Sequence, residues 1–127
     1  ANNRIGPGAP PIKTPKGWLV VFHAVYRYKD RVFKGWEGNW NKQYMAGVML
    51  LDLDNPTKIV GFSREPLLVP DKKYEYEVNG FRGNVIFPGG VISEENGEVK
   101  IYYGAADTVQ AMAVAHIDDL INFCYSV

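Results

Sequence analysis

The sequence predicts an all-β chain made of β-propeller blades, about two of them in 127 residues, and three observations carry that prediction. The first is an internal echo. Gly17-Trp18-Leu19-Val20-Val21-Phe22-His23-Ala24-Val25 aligns with Gly97-Glu98-Val99-Lys100-Ile101-Tyr102-Tyr103-Gly104-Ala105. Ala46-Gly47-Val48-Met49-Leu50-Leu51-Asp52-Leu53-Asp54 then aligns with Gln110-Ala111-Met112-Ala113-Val114-Ala115-His116-Ile117-Asp118. Each copy is a turn glycine, a β-rich run, a connection, a second small or apolar run and an acidic turn. A β unit repeated at a period of tens of residues is the mark of propeller blades, although any two β-hairpins share part of this pattern. The second observation is composition, 46% hydrophobic and 13% aromatic, which suits packed strands. The third is turn chemistry, as in Glu94-Glu95-Asn96-Gly97, where Asn-Gly readily takes the positive φ of a hairpin.

The elements follow in order. Ile5-Gly6-Pro7-Gly8-Ala9-Pro10-Pro11 cannot be helix or central strand, because its prolines fix φ and lack a donor, so an ordered loop is expected. Residues 18–28 read as a strand, with residues 46–52 as its antiparallel partner. Asp54-Asn55-Pro56-Thr57 is a turn, after which residues 59–62 add a third short strand. Residues 66–70 form a proline-bracketed extended connector, and residues 71–77 a polar surface loop. Residues 84–93 make the next strand, with a bulge or edge at Pro88-Gly89-Gly90. Residues 99–103 and 110–116 are the strands after it, and residues 118–123 a short helical turn opened by an acidic pair. The order is strictly antiparallel.

Two blades do not close a ring, since propellers use at least about four sheets. The whole of residues 1–127 is therefore expected to be the C-terminal part of a single propeller domain, completed by a missing N-terminal half or by another chain. The formal net charge is zero, so no global field recruits nucleic acid or an acidic membrane. No apolar run is long enough to span a bilayer. One cysteine, Cys124, excludes an internal disulfide framework and a cysteine-based metal cluster, and reads as an inert buried thiol. Nothing at Ala1 resembles a signal peptide, and the abrupt Gly/Pro-rich opening is expected to follow a missing N-terminus. A cytoplasmic protein is the expectation, with periplasmic or secreted placement left open.

The first copy carries an insertion, residues 27–44, that interleaves aromatic with basic groups and contains Trp36 and Trp40. Such interleaving can bind single-stranded nucleic acid, but the flanks are neutral and no RNA-binding signature follows. Indole faces beside Asn and Arg also suit sugar rings. The plainest alternative is a long hairpin whose tryptophans pack on its own blade or on a partner subunit.

Arg4-Ile5-Gly6-Pro7-Gly8-Ala9-Pro10-Pro11-Ile12-Lys13-Thr14, followed by Gly17-Trp18-Leu19 and His23, resembles glycoside hydrolase family 130. The resemblance continues through Leu50-Leu51-Asp52-Leu53-Asp54-Asn55-Pro56, Ser63-Arg64-Glu65-Pro66-Leu67-Leu68 and Gly83-Asn84-Val85-Ile86-Phe87-Pro88-Gly89-Gly90. It ends with Ile101-Tyr102-Tyr103-Gly104-Ala105-Ala106-Asp107-Thr108, and covers the chain apart from the insertion and the last few residues. It implies a five-bladed propeller and an inverting β-mannoside phosphorylase or a related hydrolase. It further implies that Arg4 stands where many members carry a phosphate-contacting lysine, that His23 lines the same pocket, and that Asp107 contacts the sugar where the bond breaks. The general acid and the family's phosphate-binding arginine pair are implied to lie upstream, so no catalytic residue is expected in this chain. Partners are then a β-mannoside oligosaccharide and phosphate, in a possible homo-oligomer. No cofactor is expected beyond phosphate as co-substrate.

The chemistry is consistent with those residue types. Inverting cleavage needs an acid on the leaving oxygen and a nucleophile on the opposite ring face. Phosphate is already anionic, so a cationic cradle replaces the second carboxylate, and an Arg4 guanidinium can hold two phosphate oxygens. Neither Arg4 nor His23 is acidic, which favours phosphorolysis over hydrolysis. Each residue also has a plainer reading. His23 could be a satisfied core histidine, Lys13 a surface charge rather than a phosphate ligand, and Asp107 a turn cap. Tyr103 packs or stacks on sugar, and His116 reads as surface. Two distant histidines do not make a metal site, and there is no nucleophile elbow or phosphate-binding P-loop. A non-catalytic carbohydrate-binding module with Trp36 and Trp40 as its platform is the rival from another class.

Overall fold

In the computed structural model, which describes residues 1–36 and 38–126, the chain opens with β1 (Arg4–Pro7), β2 (Ile12–Thr14) and the long β3 (Gly17–Arg27). The insertion follows as β4 (Phe33–Gly35) and β5 (Gly38–Trp40), with Glu37 outside the described residues. Next come β6 (Lys42–Leu51), β7 (Ile59–Phe62), α1 (Glu75–Val78), β8 (Ile86–Ser93), β9 (Glu98–Ala105) and β10 (Val109–His116). The chain finishes with α2 (Ile117–Asn122) and β11 (Tyr125–Ser126). The first sheet has the order β1-β3-β6-β7-β11, with β2 also on β3; the second is β10-β9-β8; β4 and β5 pair alone. Every ladder is antiparallel. One isolated parallel bridge, Tyr44 to Val85, joins the two blade-like sheets, which corrects the expectation of strict antiparallelism.

The echo in the sequence is an echo in burial. On β3, Gly17, Leu19, Val21, His23 and Val25 are buried and their neighbours only half so. On β9, Val99, Ile101, Tyr103 and Ala105 take the corresponding places. Alternation of period two gives each strand one core face, and the two core faces meet. Ala46, Val48 and Leu50 from β6, Ile86 from β8 and Leu120 from α2 complete the cluster. Burying each of the larger aliphatic side chains stabilises the fold by roughly 1.5–3 kcal/mol. Both leading glycines do turn work that a side chain would strain, with φ of 148° at Gly17 and 89° at Gly97.

Several local expectations change. Residues 4–7 are an edge strand rather than a loop, paired Arg4 to Val25 through Pro7 to Phe22. The outer side of β1 is unpaired, which is where a strand tolerates proline. The segment read as a polar surface loop contains α1 and buries Glu77, only 2% exposed. The bulge in β8 lies between Pro88 and Gly90, as the glycines predict. The helical turn near the end is capped by His116, whose side chain accepts from the Asp118 amide, rather than by the acidic pair. β11 returns the chain to the first sheet, pairing Tyr125 with Phe62.

The outer faces of both sheets remain apolar and open. Ile5, Ile59 and Phe62 on the first, and Met112 and Val114 on the second, are all more than 40% exposed.

Candidate functional site

A cleft of about 420 Å3 opens where the insertion meets the second sheet, lined by Trp40, Lys42, Tyr44, Arg82, Val85, Phe87 and Asp107. That volume lies in the usual small-molecule range of roughly 300–1,000 Å3. Three segments converge to build it, and backbone hydrogen bonds tie them together. The hairpin β4–β5 is anchored by the Trp36 amide on the Gly80 carbonyl at 3.0 Å and the Gly83 amide on the Lys34 carbonyl at 3.1 Å. The loop of residues 80–83 is anchored in turn to the β9–β10 turn. There the Arg82 amide donates to the Ala106 carbonyl at 3.1 Å, and the Phe81 amide to Thr108 Oγ1 at 2.9 Å.

The turn that presents Asp107 is strained. Ala106 and Asp107 have φ of 50° and 51°, with the Thr108 amide closing on the Ala105 carbonyl at 3.0 Å. Aspartate tolerates this left-handed region, whereas alanine does not. Such a residue costs on the order of 1–3 kcal/mol and persists only where its surroundings hold it, as they do at binding sites. Ala106 is fully buried, and its carbonyl is held by the Arg82 amide and Thr108 Oγ1.

The floor is a ladder of rings. Trp40 stacks on Tyr44 with centroids 5.8 Å apart, and Tyr44 stacks on His23 at the same distance. Phe87 lies 4.5 Å from His23 on another side. The Trp40 indole Nε1 donates to the Gly83 carbonyl at 2.9 Å, and the Arg82 guanidinium sits 5.2 Å above its ring. Among the described residues, this fixed aromatic surface meets the cations Lys42 and Arg82, the carboxylate Asp107 and the phenol Tyr44. Rings for C–H faces together with charged groups for hydroxyls suit a carbohydrate.

Of the residues singled out in the sequence, Trp40 and Asp107 line this cleft, and His23 stands directly behind its floor. His23 is 9% exposed, with Nδ1 2.8 Å from the Pro7 carbonyl oxygen. Its ring occupies space left by Gly6, where a Cβ would come within 2.4 Å of Cε1. Arg4 lies two residues before Gly6 on the same face of β1. It is exposed, with Nε donating to Asn3 Oδ1 at 3.3 Å, and it is not in the cleft wall. Lys13 pairs opposite Trp18 on the other face of β3, its Nζ 5.7 Å from that ring, and is not brought to His23. Trp36 stands at the hairpin tip, 73% exposed. Tyr103 is in the core. Its hydroxyl donates to Glu77 Oε2 at 2.8 Å, and burial, reinforced by Glu77, pushes its ionisation well above the ordinary tyrosine range.

Lys42, Tyr44, Arg82 and Phe87 were not singled out. The available signals were a basic residue just before the Gly83-Asn84-Val85-Ile86-Phe87 motif and the Lys42-Gln43-Tyr44 exit of the insertion. A second groove of about 440 Å3 lies on the outer face of the first sheet, among Phe22, Ala24, Met45, Met49 and Phe62. It is mostly apolar, with Arg64 and Glu65 as its charged lining residues and no tyrosine or tryptophan among the lining residues described. Among the described residues no group of three or more His, Cys, Asp or Glu could hold a metal ion.

The profile of glycoside hydrolase family 130, described as beta-1,4-mannooligosaccharide phosphorylase, matches residues 1–126. The chain belongs to glycoside hydrolase family 130. The 1,2-beta-oligomannan phosphorylase of Thermoanaerobacter sp. (strain X514) is 35% identical over 118 residues, 92% of this chain and 34% of the relative. The beta-1,4-mannooligosaccharide phosphorylase of Ruminococcus albus is 34% identical over 126 residues, 98% of this chain and 34% of the relative. The solved structure of beta-1,2-mannobiose phosphorylase from Listeria innocua, in complex with beta-1,2-mannobiose, superposes with a TM-score of 0.76. Its identity is 35%, covering 94% of this chain and 30% of that one. This family 130 chain therefore spans about a third of the length of the curated relatives it matches, and its two sheets are blades of the family's propeller fold.

Proposed function

We propose that the chain is the C-terminal sector of an inverting β-mannoside phosphorylase, which transfers a mannosyl group from a β-mannoside to inorganic phosphate. The observation that carries this reading is the juxtaposition of the aromatic cleft bearing Asp107 with His23 behind its floor and Arg4 on the His23 face of β1. The names of the family and of its relatives agree with it.

In this reading Asp107 accepts hydrogen bonds from sugar hydroxyls while Trp40 and Tyr44 form the apolar wall. Arg4 and His23 hold phosphate, whose oxygen attacks C1 from the face opposite the leaving group. The C1–O bond breaks with inversion, giving α-mannose 1-phosphate, and an upstream acid delivers its proton to the departing oxygen. Positioned cations stabilise the charge that gathers between the reactants. No cofactor enters these steps. Lys13 and Tyr103 are left with structural roles, over Trp18 and against Glu77. Upstream sectors of the same propeller cover the open apolar faces.

The test is to incubate the whole enzyme with β-1,2- and β-1,4-mannobiose, with and without phosphate. Phosphate-dependent α-mannose 1-phosphate is the expected product. Free mannose at a rate independent of phosphate would make it a hydrolase on the same fold.

A further inference from the structure

We infer that His23 meets the incoming oxyanion as a hydrogen-bond acceptor, through an unprotonated Nε2, and so selects an oxyanion carrying an O–H, such as phosphate, over sulfate. The inference rests on the proposed phosphate site and adds to it the proton inventory of that site.

The tautomer follows from one contact. Nδ1 lies 2.8 Å from the Pro7 carbonyl oxygen, and a carbonyl only accepts, so Nδ1 carries the hydrogen. In the neutral ring the lone pair is then on Nε2. The ring is held in that sense from several sides. Phe87 is 4.5 Å away, and Tyr44 is stacked at 5.8 Å with an 18° tilt. The backbone of Gly6 passes so close that a Cβ there would be 2.7 Å from Nε2. Turning the ring over would break the Pro7 contact. Among the described residues Nε2 has no hydrogen-bond partner. It is nevertheless not sealed, because among the described residues no buried side-chain nitrogen or oxygen lacks a partner. An open lone pair on the strand face that also carries Arg4 is what a protonated oxyanion matches.

The groups around the ring are few. β1 contributes Arg4 on the same face, β6 the Tyr44 phenol and β8 the neutral Phe87. Lys42, Arg82 and Asp107 lie farther along the adjoining cleft, and among the described residues no carboxylate is paired with His23. Phosphate near neutrality can offer an O–H to Nε2, whereas sulfate offers only lone pairs and meets lone pair with lone pair.

The experiment is competition of sulfate against phosphate in phosphorolysis by the whole enzyme near neutral pH. The wild type should bind sulfate about tenfold or more weakly than phosphate. His23→Gln, checked for an unchanged melting temperature, should lose that discrimination because its amide can turn either a donor or an acceptor to the anion. Sulfate competing as well as phosphate in the wild type would overturn the inference, as would a 15N spectrum of His23 showing Nε2–H in the neutral ring. A reaction that needs no phosphate at all would instead sink the underlying phosphorylase reading, and this inference with it.

Discussion

Gly6→Ala is the substitution in which geometry and function are most tightly joined. Gly6 pairs with His23, and a Cβ on it would lie 2.4 Å from Cε1 and 2.7 Å from Nε2. Carbon atoms in contact sit about 3.5–4.0 Å apart, so the ring must retreat by roughly 1 Å. Phe87 and Tyr44 block that retreat, and the Nδ1 contact to Pro7 is lost in making it. Overpacking of this kind costs about 1–3 kcal/mol and the hydrogen bond about 0.5–1.5, together roughly 1.5–4.5 kcal/mol. Thermal melts of the whole enzyme read the stability, and initial rates at varied phosphate read the site. The melting temperature should fall by several degrees, and the KM for phosphate should rise about tenfold or more while that for mannoside changes less. Gly89→Ala is the control, since a Cβ there meets nothing within 4 Å, and it should stay within about 0.5 kcal/mol of wild type. A Gly6→Ala enzyme that melts and binds phosphate like wild type would refute the placement of His23.

Tyr103→Phe leaves Glu77, 2% exposed, with the Asp71 amide as its remaining donor, and should cost about 1–3 kcal/mol in denaturant unfolding. The Tyr103 hydroxyl ionises above its ordinary range, first because it is buried and then because of Glu77. A folded value above the unfolded one gives stability that is full below about pH 10 and is lost as pH rises beyond it. The variant should therefore show a shallower alkaline loss than wild type. Trp40→Ala removes the stack on Tyr44 and the bond to Gly83, and should lower both the melting temperature and mannoside affinity. Trp36→Ala, at a position 73% exposed, should change stability by less than about 0.5 kcal/mol. Asp107→Asn keeps a residue type that tolerates the 51° φ, so the fold should persist. Its kcat/KM for mannoside should fall about tenfold or more, measured against an unchanged circular dichroism spectrum.

The parts legible in the sequence are those written locally. Alternation along residues 17–27 and 98–105 gave the core faces, and the positive φ of Gly97 is the Asn-Gly turn at work. β1 and β11 were not legible, because their pairing with distant strands leaves no local trace in a proline-rich opening or a short tail. The burial of Glu77 was hidden for a related reason. A run rich in Lys, Glu and Tyr reads as solvated, and the partners that make burial tolerable are the Asp71 amide and the Tyr103 hydroxyl, the latter from a strand 26 positions away. Asp107 and Trp40, singled out in the sequence, line the candidate cleft, whereas Arg82 and Lys42 enter it only once the hairpin is clasped to the loop of residues 80–83. Register decided the rest. Lys13 opposite Trp18 goes to the outer face, and Tyr103 shares the core face of Ile101 rather than the cleft.

The most direct test is a crystal structure of the whole enzyme with phosphate and mannose bound. Phosphate between Arg4 and the Nε2 of His23, with the sugar on the Trp40–Tyr44 wall and its hydroxyls on Asp107, is the predicted arrangement. Phosphate bound away from both Arg4 and His23, or a mannose that leaves Asp107 to solvent, would contradict it.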